Sequence, residues 1–349
     1  MQTERLYNIV SNLIVYILAF ALAIGLGALI IWGFLGINPF YSLSLIMTTA
    51  LLSYNGLLST VLYLVPLTLI GLGLAICYKA RFWNIGADGQ MIFGAIFTMG
   101  MALFMTRYTY SSLVVPLLLV MGIIGGAAYG LIPAILKVKF KVSEVLSSLM
   151  LNFVAIYLMT WLVDVTGPWK DPSSAELQSY PLPHTYFLPY EYISLLAITV
   201  VAIIIISYLY HRTSFGYKLK VMSSSFQAAD YAGINKERQF IMIGAISGGL
   251  AGLAGALQIL AIDHLLASTF DGIFFGYLGI FVAWLAATNP VYIIFAGLLM
   301  GTLINGGYFM QAISGVSVEF VYYFEGVVFI SIIVFQLIKP KLRRLLKID

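Results

Sequence analysis

The sequence predicts an all-α, polytopic transmembrane helix bundle of about ten spans, and three observations carry that prediction. Hydrophobic residues make up 61% of the chain, charged residues only 9%, and the mean hydropathy is +0.99. Soluble domains average roughly 25% charged residues, so this chain cannot cover a water-facing surface. Apolar stretches also recur at the length of about 20 residues that a membrane helix needs. Finally, the basic residues fall at the ends of those stretches and sort to one side of the membrane. The longest polar segments, Asp164 to Tyr190 and His211 to Gln239, are loop-sized. Residues 1–349 therefore read as a single transmembrane domain with an outer loop at 164–190 and a cytoplasmic loop at 212–239.

Spans are expected near 12–35, 58–78, 87–106, 112–136, 143–163, 191–211, 240–262, 274–288, 290–312 and 318–338. The first is a full-length span, without the short apolar region and small-residue cleavage site of a removable signal. Asn38 to Tyr54 carries no charge and is either an outer loop or a re-entrant segment. Arg5, Lys79, Arg81, Lys137, Lys139, Lys141, Arg212, Lys218, Lys220, Lys236, Arg238 and the basic tail from Lys339 then share one side, against Arg107 and Lys170 on the other. The excess of basic residues marks the cytoplasmic side, which also holds both termini. The four-span blocks starting at 58–78 and 240–262 would run in opposite senses, an inverted repeat of the kind common in transporters. The outer loop carries Pro168, Pro172, Pro181, Pro183 and Pro189, which favours irregular or extended chain over helix. It is acidic as well, with Asp164, Asp171 and Glu176 against Lys170.

Polar residues at membrane depth are costly and point to a polar path. Asn84-Ile85-Gly86-Ala87-Asp88-Gly89-Gln90 lies between two apolar runs. Its structural reading is a helix start, with Asn84 as cap and Asp88 in the first turns. Its functional reading is a half-helix terminus that meets cargo, and the two are compatible. Ser143-Glu144 reads as a capped helix start, while Asn152 lies mid-span as helix glue or substrate contact. Glu325 within the final span, and Gln258, Asn305 and Gln311, are further intramembrane polar positions. Candidate pathway residues are thus Asn84, Asp88, Gln90, Asn152, Gln258 and Glu325.

Gly122, Gly126, Gly130 and Gly244, Gly248, Gly252 recur at four-residue spacing, placing small residues on one face of each of two helices for close packing. In the cytoplasmic loop, Ser223 to Ser225 can cap a short helix from Phe226 to Ala232 that Gly233 ends. Such a helix offers an exposed face for docking into a groove. The lone Cys77 reads as a small buried residue. No catalytic constellation is present: His184, His211 and His264 lack metal-ligand spacing, and no phosphate-binding loop with a Lys-Ser/Thr pair occurs. Nucleotide hydrolysis, if used, belongs to another polypeptide. The net charge of +4 is spread over span ends and does not suggest nucleic acid.

Phe82-Trp83-Asn84-Ile85-Gly86-Ala87-Asp88-Gly89-Gln90 resembles the F-N-I-G-x-E/D-G-Q stretch of ATP-binding cassette (ABC) importer permeases for branched-chain amino acids, simple sugars and nucleosides, with Trp83 as an inserted or shifted aromatic. Ser143 to Asn152 resembles that family's N-E-V-I-S-T-L-M-L-N, and Gln227 to Ile234 its coupling loop. Gly167-Pro168-Trp169-Lys170-Asp171-Pro172 resembles the outer-loop G-P-L-K-D-P of the nucleoside, guanosine-type branch. The resemblance runs from about Leu57 to the last span. It implies a non-enzymatic permease subunit of a bacterial inner-membrane nucleoside importer, with simple sugars or branched-chain amino acids as alternative cargo. It further implies a second homologous permease, a cytoplasmic ATPase binding ATP and magnesium, and an extracytoplasmic substrate-binding lipoprotein. This chain itself would hold no cofactor and no metal. Coupling would fall to Phe226, Gln227, Ala228, Ala229, Tyr231 and Gly233. A self-contained ion-coupled carrier, with Asp88 or Glu325 as proton sites, is the reading from a different class.

Overall fold

The computed structural model describes residues 38–105, 113–270 and 274–314, with isolated positions outside these ranges. The expected spans at 12–35 and 318–338, and Glu325, lie outside the described residues. The described residues are helical, joined by loops in which two isolated β-bridges occur. In chain order the helices are α1 (Pro39–Met47), α2 (Tyr54–Lys79), α3 (Ala87–Met105), α4 (Val114–Phe140), α5 (Glu144–Val163), α6 (Glu191–Arg212), α7 (Ser214–Ser224), α8 (Phe226–Tyr231), α9 (Lys236–Leu257), α10 (Phe275–Leu285) and α11 (Ile293–Ser314). Among the described residues, seven helical segments are long and apolar enough to cross a membrane: α2 to α6, α9 with its π-helical extension to Asp263, and α11. Each matches an expected span. The span expected at 274–288 is instead the 11-residue α10, about 16 Å long and half a bilayer core.

The chain divides into two compact units, Val61–Met300 and Met1–Thr60 with Gly301–Asp349. In the first, α9 lies against α4 and α3, and α3 also packs on α4, α5 and α10. Both glycine stripes belong to the same contact. A Cβ on Gly130 would lie 2.9 Å from the Gly248 Cα, and one on Gly126 would overlap Gly252 and the Gly248 carbonyl. Only residues without side chains allow these two backbones to approach so closely. The membrane-length window of α2 is 83% buried and that of α6 only 22%, so α2 is a core helix and α6 faces outward. In the smaller unit, Asn305 Nδ2 donates to the Gly56 carbonyl (2.9 Å) and Thr60 Oγ1 (2.9 Å), and Thr60 donates to the Ala50 carbonyl. Asn305 is helix glue there.

Caps follow the expected logic in the 212–239 loop. Ser225 Oγ accepts from the Gln227 and Ala228 amides at the start of α8, and Gly233 follows its end at φ +66°. Ser143 does not behave as expected. It holds the cap position of α5 without a side-chain cap bond, while Glu144 pairs with Lys137 of α4. The 164–190 loop is irregular as expected, with one short 3-10 turn at His184–Tyr186. It is stitched onto the end of α9: the Ser179 amide donates to the Leu266 carbonyl, Leu182 to His264, Leu188 to Leu260 and Ser268 to Leu177.

Candidate functional site

After α2 the chain turns at Arg81, whose φ of +56° is left-handed, and Phe82 to Gly86 returns in non-helical form. This return is deep. The Tyr78 hydroxyl donates to the Asn84 carbonyl (3.2 Å), so Asn84 lies beside the last turns of α2 rather than beyond them. Further along, Phe275 meets Tyr63 (6.5 Å between ring centroids) and Gly279 packs on Ile70. The start of α10 therefore lies opposite the middle of α2. There α3 and α10 both begin, beside each other, and the junction sits at membrane depth.

The first amides of any helix lack intrahelical partners, and in lipid they cannot turn to water. Here side chains from other helices supply the acceptors. Ser148 Oγ of α5 takes the Ile85 amide (3.1 Å), and Asn152 Oδ1, one turn on, takes the Gly89 amide (2.8 Å). Asn152 Nδ2 returns a bond to the Ile85 carbonyl (2.9 Å) and reaches the Tyr277 hydroxyl of α10 (3.2 Å). Asp88 Oδ1 accepts from the Gly276 amide (2.6 Å), the second residue of α10. The carboxylate thus stands at the positive ends of two helix dipoles, its own and that of α10. A Cβ on Gly276 would come within 2.7 Å of the Asp88 carboxyl carbon, so only glycine permits this contact.

Asn84 acts differently from the cap expected of it. Its Oδ1 accepts from the Gly86 amide two residues on (2.9 Å), an Asx-type turn that leads into α3. Its side chain also exchanges two bonds with Gln90 (3.0 and 3.1 Å), and its Nδ2 reaches Ser247 of α9 (3.1 Å). Asn84, Asp88, Gln90 and Asn152 are all buried. The structure brings these four together in one network. Gln258 lies elsewhere, in the π-helical turn after α9, where it donates to Asp263 (3.3 Å).

A second cluster lies directly beneath. Arg81 Nη2 donates to the Ser223 and Ser224 carbonyls (3.1 and 3.2 Å), the last carbonyls of α7 and a favourable place for a cation. Its guanidinium stands 5.7 Å from the Phe226 ring centroid, and Phe226 meets Phe240, which meets Phe82. Lys236 pairs with Asp230 (2.7 Å) and also faces the Phe226 ring. On α8 the residues Gln227, Ala228 and Asp230 are exposed, Ala229 is buried and Tyr231 is 95% exposed; Gly233 beyond it is exposed too. The Arg81–Asn84 stretch therefore carries the short helix α8 at one end and the polar junction at the other.

The family model described as branched-chain amino acid transport system permease component matches residues 56–335. The chain belongs to that family. Among its relatives, the nucleoside ABC transporter permease protein NupB of Lactococcus lactis is 28% identical over 86% of this chain and 85% of its own length. The guanosine ABC transporter permease protein NupP of Bacillus subtilis is 29% identical over 89% and 90%. The glucose ABC transporter permease protein TsgB13 of Haloferax volcanii is 28% identical over 91% and 86%. No solved structure matches the chain. As a member of this family the chain is a membrane permease component and not an enzyme. The family's motif stretches coincide with the two clusters: Asn84–Gln90 and Ser148–Asn152 form the junction, and Gln227–Ile234 takes in all of α8 but Phe226.

Sequence reasoning left Ser148, Ser247, Tyr277 and Gly276 without roles. Ser148 and Asn152 share one face of α5 at i, i+4, a signal that would have found the first. Gly276, Tyr277 and Ser247 carry no such signal, because they join the network only through contacts distant in sequence.

Proposed function

We propose that this chain is the membrane-spanning permease subunit of an ATP-driven ABC importer for nucleosides, acting as one permease domain in a bacterial cytoplasmic membrane. The observation that carries the reading is the meeting of the α3 and α10 starts at Asp88, coupled through Arg81–Asn84 to an exposed cytoplasmic helix. Broken helices whose N-termini face a polar site are how transporters meet polar cargo within the bilayer. Resemblance to NupB and NupP over most of the chain, and the outer-loop Gly167–Pro172 motif, support nucleoside cargo.

The mechanism follows from the two clusters. An extracytoplasmic lipoprotein delivers cargo at the outer loop. A cytoplasmic ATPase, holding ATP and magnesium, takes α8 in a groove through Gln227, Ala228 and Tyr231. Closure of the ATPase displaces α8. Arg81 and the Phe226–Phe240–Phe82 contacts carry that displacement to Asn84, shifting the junction between its two states. Asn84, Asp88, Gln90 and Asn152 hold the junction and border the path, with Gln258 nearer the outer face and Glu325 in the final span. The apolar outer faces of α5 and α6 meet lipid and a second, homologous permease. Ten crossings, with α10 as the helical half of a broken one, both termini cytoplasmic and an inverted four-span repeat, fit the basic-residue distribution.

The test is uptake of radiolabelled guanosine by the complete transporter in proteoliposomes, with the ATPase intact or with its phosphate-binding lysine replaced. Uptake that requires the lysine supports the reading, and uptake that ignores it overturns it. A sugar reading has its own support in the resemblance to TsgB13. Glucose uptake without guanosine uptake would favour it.

A further inference from the structure

The half-helix α10 has two unlike faces. Phe275, Gly276, Leu278, Gly279, Val282 and Ala283 are buried, with Gly276 against Asp88, Gly279 against Ile70, and Val282 against Gly71. The other face is a run of rings. Phe274, Tyr277, Phe281 and Trp284 recur at steps of three, four and three residues, which places them one above another along one side of the helix. Phe274 is 48% exposed and Trp284 40%, while Tyr277 and Phe281 are half-buried. The run covers about 15 Å of helix axis.

Both ends of this run connect to features already described. At the upper end, Phe274 borders a small cavity with Asp88, Met91, Ile92, Phe270 and Phe275. In the middle, the Tyr277 hydroxyl accepts from Asn152 of the junction (3.2 Å). At the lower end, Trp284 stacks on Trp83 at 6.0 Å and 25° between ring planes, and Tyr78 lies 5.2 Å from Trp83. Trp83 is 42% exposed and is the residue that departs from the family's motif. Aromatic residues that anchor a protein in lipid gather at the headgroup level. This run instead descends from the middle of the bundle and is tied to the buried polar network at its centre.

We propose that the ring-bearing face of α10, with Trp83 at its foot, is a stacking track for the planar, uncharged base of a nucleoside passing from the α3–α10 junction to the cytoplasmic side. The proposal rests on the nucleoside reading above and adds the surface that would recognise the base. Stacking on one ring strengthens base binding by roughly 5- to 150-fold and tolerates different bases, since every base has a π-face. A succession of such contacts gives a cargo holds that are each weak enough to release. Purines, with the larger ring system, gain more from it than pyrimidines.

The experiment compares guanosine and uridine uptake by the complete transporter in proteoliposomes, for the unmodified permease and for Trp83→Leu, Phe281→Leu and Trp83→Phe. The track predicts about a tenfold fall in saturated guanosine uptake for each leucine variant, a smaller fall for uridine, and substantial recovery with Trp83→Phe. Unchanged uptake, or equal losses for both nucleosides, overturns it. Azidoguanosine photolabelling of the unmodified complex gives a second reading that needs no variant to assemble: label on Phe274–Trp284 or Trp83 supports the track, and label confined elsewhere overturns it. An unmodified transporter that imports no nucleoside, while importing glucose, defeats the nucleoside reading itself and the track with it.

Discussion

Replacing Asn152 by alanine tests the junction most sharply. The side chain is 1% exposed and makes three bonds at once: to the Gly89 amide, the Ile85 carbonyl and the Tyr277 hydroxyl. Gly89 is the third residue of α3, so its amide has no partner within its own helix. Alanine would leave that amide and the Ile85 carbonyl orphaned where water is scarce. Interhelical bonds in membrane proteins average about 0.6 kcal/mol, and each orphaned buried group costs about 1–3 kcal/mol. The sum is about 2–4 kcal/mol, allowing for partial relaxation of the loop. Tyr277→Phe removes only one acceptor and leaves Asn152 two partners, so its expected cost is below about 1 kcal/mol. The assay is the midpoint of detergent-driven unfolding of the purified permease in mixed micelles, read beside ATP-driven uptake. If Asn152→Ala unfolds within about 0.5 kcal/mol of the unmodified protein, or costs no more than Tyr277→Phe, the capping logic of the junction is wrong.

Four further outcomes are expected. Arg81→Ala should let the assembled complex hydrolyse ATP while guanosine uptake falls at least about tenfold, or 1.4 kcal/mol, because the guanidinium joins α7 and Phe226 to the junction; parallel loss of both rates would contradict it. Asp88→Asn keeps an acceptor for Gly276 but removes the charge facing two helix starts, so uptake should fall while membrane abundance holds, as judged by quantitative blotting. Gly248→Val should abolish folded protein in size-exclusion profiles, since even a Cβ there lies 3.0 Å from the Gly130 Cα, whereas Gly249→Ala, whose Cβ would need only a few tenths of an ångström from Ile123 Cγ2 at 3.3 Å, should be tolerated. His264 stacks on Phe187 at 3.6 Å, and burial first, then the nearby His184, holds its pKa below the usual value. A lowered histidine pKa means the unfolded loop binds more protons, so outer-loop stability should rise with pH and decline as pH falls through about 6.5. The protection of the Leu182 and Leu188 amides, taken as exchange relative to the unstructured rate at each pH, should therefore fall between pH 7.5 and pH 5.5, with a smaller change in His264→Phe; Asp171, held low by bonds from Ser173, is ionised throughout this range and adds nothing to the change.

Much of this architecture is legible in the sequence because the chemistry behind it is local. Ser225 and Gly233 delimit α8 because a hydroxyl cap and a left-handed glycine act on their own neighbours. Seven expected spans match because apolar length is a property of consecutive residues. Asn84, Asp88, Gln90 and Asn152 stand out because polar groups at membrane depth need partners. What the chain does not reveal is who those partners are. The meeting of the two glycine stripes, the reach of Asp88 to Gly276 and the Asn152–Tyr277 bond all join residues far apart in sequence. The expected span at 274–288 is apolar enough to suggest a crossing, yet only Phe275–Leu285 is helical, and its Gly276 and Gly279 serve close packing rather than length. Ser143 keeps the cap position without the cap bond, and Glu144 pairs across to Lys137 of α4, a partner that only the fold brings near.

The central claim is that α8 acts on the polar junction through Arg81–Asn84. With Cys77 as the chain's one cysteine, and buried, a single reporter can be read against a quiet background. The measurement is the rate at which a membrane-impermeant thiol reagent modifies Ile85→Cys in the complete transporter, with and without ATP, in the Arg81 and Arg81→Ala forms. An ATP-dependent change in that rate, lost in Arg81→Ala, is the predicted result. A rate indifferent to ATP, or a change that survives Arg81→Ala, would contradict the account.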